Sequence, residues 1–113
     1  MLEKNAVREK MMQLGLPVSY RGFDAMVDML EYIHREGVTT KITEGYNSVG
    51  RSNGGTRNIV ERNIRYEIKK YYEIMGEQCH PLLSAGVQKN GTLTNKEFLA
   101  RLHKIIYEGE MQE

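Results

Sequence analysis

A single cysteine, Cys79, is all that the 113-residue sequence holds, so no disulfide can close within the chain and no framework of bridges stands in for a core. That usage points to a reducing compartment. Only two prolines occur, Pro17 and Pro81, and no Pro-rich or Ser-rich stretch is long enough to act as a linker between separate domains. Apolar runs never approach the ~20 residues a membrane helix needs, and the start MLEKNAVREK lacks the basic-then-apolar order of a secretory signal. These shortages predict one domain over residues 1–113, soluble and cytoplasmic, with no membrane partner. Neither sign of charge dominates: 16 Lys and Arg stand against 15 Asp and Glu, and 40% of the residues are apolar, which excludes disordered and collagen-like chains. A chain of this size hides roughly 60 to 70% of its unfolded surface, enough for one core.

The near-zero balance conceals an asymmetry. Between Lys41 and Lys70 lie seven bases and three acids, whereas the rest of the chain carries nine bases and twelve acids. A basic middle in a mildly acidic frame suits a small nucleic-acid reader, of which one face alone should meet phosphate. The competing reading is a solvated, salt-bridged helix face.

Periodicity predicts helices only. Val7, Met11 and Leu14 recur at helical spacing from about Leu2 to Leu14, and Gly15 with Pro17 supplies the stop. Phe23, Met26, Val27, Leu30, Ile33 and His34 share one stripe, with Ser19 as expected N-cap and Gly37 as C-cap. Residues 39–53, β-branched at first and interrupted by Gly45 and Gly50, predict short helical turns that close in a tight bend at Asn53-Gly54-Gly55. From about Thr56 to Met75, Val60, Ile64, Ile68, Tyr71 and Met75 fall within an arc of about 80°, and Gly76 ends the run. Residues 77–92 read as an irregular connection anchored by Pro81-Leu82-Leu83.

The last helix starts at Thr94-Asn95-Lys96-Glu97, where Thr94 can accept from the Glu97 N–H and the Glu97 carboxylate can reach back to the Thr94 N–H, while Leu93 staples onto Phe98. Phe98, Leu102, Ile105 and Ile106 give its buried stripe, and the tail 109–113 is expected to fray. No segment alternates like a strand ahead of a hairpin turn, and no repeat recurs at a fixed period. The expected fold class is all-α.

The helix 56–75 carries the functional signal. Opposite its apolar stripe, at about 140 to 200° from Val60, stand Arg65, Asn58, Lys69 and Arg62, with Glu61 and Arg57 on the flanks. Arg can bond O6 and N7 of guanine together, and Asn can do the same for adenine. Val49, Gly50, Gly54 and Val60 stand at the spacings of a helix-turn-helix over about 46–75: an apolar residue, a small one at the crossing, a turn glycine, then an apolar residue in the second helix. In that register Thr56, Arg57, Asn58, Glu61, Arg62 and Arg65 face outward.

The sequence also resembles one family, the effector domain of stage-zero sporulation protein A, a response regulator of spore-forming Firmicutes. The likeness rests on Leu14-Gly15-Leu16-Pro17 leading into Gly22-Phe23, on Tyr46, on Val60 to Ile68 (VERNIRYEI), and on Leu93 to Ala100 (LTNKEFLA). It implies an all-helical domain of about six helices that binds double-stranded promoter boxes, often as head-to-tail pairs on adjacent boxes, and regulates transcription, with RNA polymerase as a further partner. By position, Glu61, Arg62 and Arg65 would be the base-and-backbone readers. No receiver domain stands in this sequence, so it is either the effector portion of a longer regulator or a free-standing protein. Such chains usually carry Pro where Asn47 stands, a large apolar residue at Asn53, Ala at Asn63 and Arg at Ile59. Asn53, among four nearby glycines that each cost about 1 kcal/mol in a helix, predicts a loosened first helix of the motif. Ile59 predicts weaker DNA contact.

Other chemistry finds no support. The Gly-rich stretch 50–56 has no following Lys-Ser or Lys-Thr, and no strand precedes it, so it is no phosphate loop. Cys79 and His80 are neighbours, His34 and His103 sit on separate helices, and no pair has zinc-like spacing. No cofactor or metal is expected, His34 reads as a core-edge side chain, and the chain is not expected to be an enzyme. Two readings remain. One is a sequence-specific regulator with helix 56–75 in the major groove, in which Arg62 and Arg65 read bases, Arg57, Lys69 and Lys70 meet phosphate, and Thr56 and Asn58 fix the helix start. The other is a protein-interaction module of the same fold with weakened DNA binding, acting on a full-length regulator or on itself.

Overall fold

Gly15 closes the first helix in a left-handed turn at φ +97°, with its N–H on the Met12 carbonyl and the Leu16 N–H on Met11. This is the paired closure that glycine favours beyond a helix end. A computed structural model of the chain describes residues 3–37, 41–88 and 91–109. Among these residues are six helices, α1 (Lys4–Leu14), α2 (Arg21–Glu36), α3 (Ile42–Ser52), α4 (Arg57–Met75), α5 (Ala85–Gln88) and α6 (Asn95–Tyr107), and no strand. The all-α expectation holds. The expected start at Leu2, the residues Thr39 and Thr40, and the tail 110–113 lie outside the described residues.

Helix α2 begins without the expected cap. Tyr20, not Ser19, holds the cap position, and no side chain bonds there. Its ring meets Tyr66 of α4 edge-on at 5.2 Å, so contact with α4 fixes the entry that a hydroxyl was expected to fix. The expected stripe is buried at Phe23, Met26, Val27 and Leu30, half-buried at Ile33, and exposed at His34, whose Nδ1 lies 3.1 Å from Nε2 of His103. Met29, outside that stripe, is also fully buried because α3 covers it through Gly45.

Residues 42–52 form one continuous helix, not the broken turns expected. Gly45 and Gly50 are close approaches: a Cβ on Gly45 would sit 2.8 Å from Met29 Cε, and one on Gly50 3.0 Å from the backbone of Thr56. Asn53 does not loosen α3 either. Its Nδ2 donates to the Val49 carbonyl at 2.8 Å and to Asp28 of α2 at 3.2 Å, so an exposed polar side chain ties the helix end down.

Thr56 then starts α4 by accepting from the Ile59 N–H at 3.3 Å. The inner face of α4 buries Val60, Ile64, Ile68, Tyr71 and Tyr72, chiefly against α2 and α3. Beyond it, a 3-10 turn (Gly76–Gln78) and α5 are the only regular pieces among the described residues of 77–92. Side chains stitch this connection down: Tyr72 donates to the Leu83 carbonyl at 2.7 Å, and Arg101 to that of Leu82 at 2.9 Å. Leu83 is fully buried, as the anchoring triplet predicted.

Thr94 caps α6 as expected, accepting from the Glu97 N–H at 3.2 Å, but the Glu97 carboxylate accepts from the Thr94 hydroxyl at 3.3 Å where the backbone N–H was the expected donor. Phe98, Leu99, Leu102 and Ile105 of α6 are fully buried and join side chains of α1 through α4 in one contiguous core. The Cα radius of gyration is 12.9 Å.

Candidate nucleic-acid interface

With its inner face buried, α4 presents the expected polar row to solvent. Arg57, Asn58, Arg62, Arg65 and Lys69 are all exposed. Arg57, Arg62 and Lys69 have no ion-pair partner among the described residues, while Arg65 donates to Glu61 at 3.3 Å in an exposed i,i+4 pair. Such a pair holds by only about 0.5 kcal/mol and yields readily to a better acceptor. Thr56 is exposed, yet its hydroxyl is already committed to the helix cap.

Lys70 stands apart from the row. It pairs with Glu73 at 3.1 Å and lies 5.3 Å from the centre of the Tyr66 ring, on the flank where Ile59 and Tyr66 are exposed. The bond to Glu73, and the charge of that carboxylate, raise its pKa.

A groove of about 630 Å³ runs beside the first turns of α4. Arg57, Asn58, Glu61 and Arg65 line it from α4, Ile42, Thr43 and Tyr46 from α3, and residues 92–96 from the start of α6. Arg62 and Lys69 lie outside this lining. At the base of the groove Asn95 donates from one amide to the Tyr46 hydroxyl and to the Glu61 carbonyl, each at 3.1 Å. One side chain thereby joins α3, α4 and α6. Burial pushes the Tyr46 phenol pKa up, and the Asn95 bond opposes that rise. Asn95 and Lys96 are absent from the candidate residues because the spacing rules assign them only to a helix start. The signal was present, since the TNKEF segment that marks the resemblance places an amide where a hydroxyl cap needs none.

Behind the polar row, Glu67 is fully buried at the closest approach of α2 and α4, where a Cβ on Gly22 would collide with the Asn63 carbonyl. Neither carboxylate oxygen has a partner among the described residues, and desolvation pushes the pKa up to about 8. Burial without a partner thus favours the protonated form of Glu67. Cys79 is buried, and among the described residues no three His, Cys, Asp or Glu side chains gather as a metal site would need.

The family model for the sporulation initiation factor Spo0A C terminal matches residues 7–106, which span the whole core and both walls of the groove. The chain belongs to the Spo0A C-terminal family. This is a family of DNA-binding effector domains of sporulation regulators, not a known enzyme family, and it agrees with the resemblance carried by the motifs between Leu14 and Ala100. No curated protein matches the chain. No helix among the described residues of this Spo0A C-terminal domain is long and apolar enough to cross a membrane.

Proposed function

We propose that this domain reads promoter boxes in double-stranded DNA with α4 in the major groove, α3 and α4 acting as a helix-turn-helix. The observation that carries the reading is the outer face of α4, where a row of exposed donors stands opposite a buried stripe. Arg62 and Arg65 read base edges, Glu61 orients Arg65, Arg57, Lys69 and Lys70 meet phosphate, and Thr56 and Asn58 fix the helix start. Pairs of domains bind head-to-tail on adjacent boxes in the cytoplasm, and RNA polymerase is the partner that the bound domain influences.

The interaction-module reading draws support from the exposed Ile59 and Tyr66 on the other flank of α4, with Ile59 lining a cleft of about 330 Å³ between α2, the turn and α4. It loses its other support, since Asn53 holds α3 in place. Titration into duplexes recovered from a random library, beside a scrambled duplex and at two salt concentrations, separates the two. Under the first reading Arg62→Ala and Arg65→Ala each remove about 1 to 3 kcal/mol of box preference. Equal, weak binding to both duplexes that falls steeply with salt would favour the module.

A further inference from the structure

The groove beside α4 is cationic on both walls. Arg57 and Arg65 line one side and Lys96 the other, and Lys96 also borders a small adjoining pocket lined by Lys41 at the head of α3. Lys41 and Lys96 are exposed, and neither has an ion-pair partner among the described residues. Among the described residues Glu61 is the one acid on the groove lining, and Arg65 pairs with it. Asn95, next to Lys96, bonds to α3 and α4, so the start of α6 that carries Lys96 is tied beside the polar row of α4.

We propose that Lys41 and Lys96 form a phosphate-binding site for the DNA strand flanking the contacts of α4. The inference rests on the DNA-reading proposal above and adds a second wall to it. Two ammonium groups, one at the head of α3 and one on α6, with no ion-pair partner among the described residues, gain most from an extended polyanion that lies across both. Lysine suits that task because it meets phosphate as a compact point charge without demanding a fixed angle. Lys41 also heads the helix that precedes the reading helix, the element that crosses the backbone in helix-turn-helix complexes. Contacts of this kind carry no sequence information, and they release counterions.

The test titrates the wild-type domain, Lys41→Gln, Lys96→Gln, the double variant and Lys104→Gln into box-bearing and scrambled duplexes across a salt series. Glutamine keeps the stem, and both sites are exposed, so folding is undisturbed. Lys104 is exposed on α6 about 12 Å beyond Lys96 and lines neither pocket. Each single variant is expected to lower the slope of log affinity against log salt by about 0.9, and the double variant by about twice that. Between 50 and 200 mM salt, this reads as a roughly threefold smaller loss of affinity per lysine. Box preference stays at the wild-type level, and Lys104→Gln keeps the wild-type slope. Unchanged slopes in the Lys41 and Lys96 variants overturn the site, as does an equal drop in Lys104→Gln, which would mean a diffuse field. If no box is preferred while the slopes still drop, base reading fails and the phosphate site stands. A wild-type domain that binds neither duplex removes both.

Discussion

Glu67 lies on the inner side of α4 with both carboxylate oxygens unpaired among the described residues, and burial pushes its pKa up to about 8. Its pKa is raised on folding from the ordinary value of 4.5, so the stability it leaves intact is fully present below about pH 4.5 and is lost as the pH rises towards 8. The loss runs at about 1.4 kcal/mol per pH unit within that window. Glu67→Gln, with the same shape and no proton to lose, is expected to flatten this dependence and to exceed wild type in urea midpoint at pH 8; equal midpoints for the two at pH 5 and pH 8 would refute it. Some of this was legible in the sequence. Glu67 falls about 20° from Val60 on the helical wheel, at the edge of the apolar arc, but a charge count treats every glutamate as ionised and only the packing of α2 shows its burial. Asn53 is the opposite case. Absence of an apolar side chain suggested a weakened helix, and the bonds to Val49 and Asp28 depend on neighbours that composition does not reveal. Asn53→Ala is expected to cost about 1 kcal/mol in a denaturant titration.

Among the elements, α2, α4 and α6 were readable because their apolar positions recur at helical spacing over several turns and their ends carry a glycine or a hydroxyl cap. Helix α3 was not. Glycine in a helical pattern signifies either a break or a close crossing, and the choice is made by what lies opposite: Met29 and Tyr32 for Gly45, the backbone of Thr56 for Gly50. The outer row of α4 was readable for the same periodic reason, whereas Asn95 and Lys96 enter the groove only because α6 packs beside α4 in space. Gly22 is the tightest of these crossings. Gly22→Ala drives a methyl into the Asn63 carbonyl, a backbone atom that cannot swing aside, and is expected to destabilise by about 1 to 3 kcal/mol. Thr94→Ala removes the α6 cap and is expected to cost about 1 kcal/mol. Melting curves of the two variants, with Gly22→Ala melting at the lower temperature, check both.

Across the whole molecule one core joins α1 through α4 and α6, with the connection sewn to it by Tyr72 and Arg101. Heating is therefore expected to give a single transition of about 80 kcal/mol near 60 °C, with calorimetric and van't Hoff enthalpies equal. Two separable transitions would show that α1 or the segment after α4 melts by itself. The same architecture places the polar row on α4 and the helix that steadies it, α6, later in the chain. Phe98, Leu99 and Leu102 complete the core, and Asn95 ties down α4 and α3. During synthesis, the ribosome makes the exposed row of α4 before the helix that braces it. A chain interrupted before Asn95 carries that whole row but lacks the α6 side chains that complete the core and brace α4, so an unfinished product is expected to present the row without its final support.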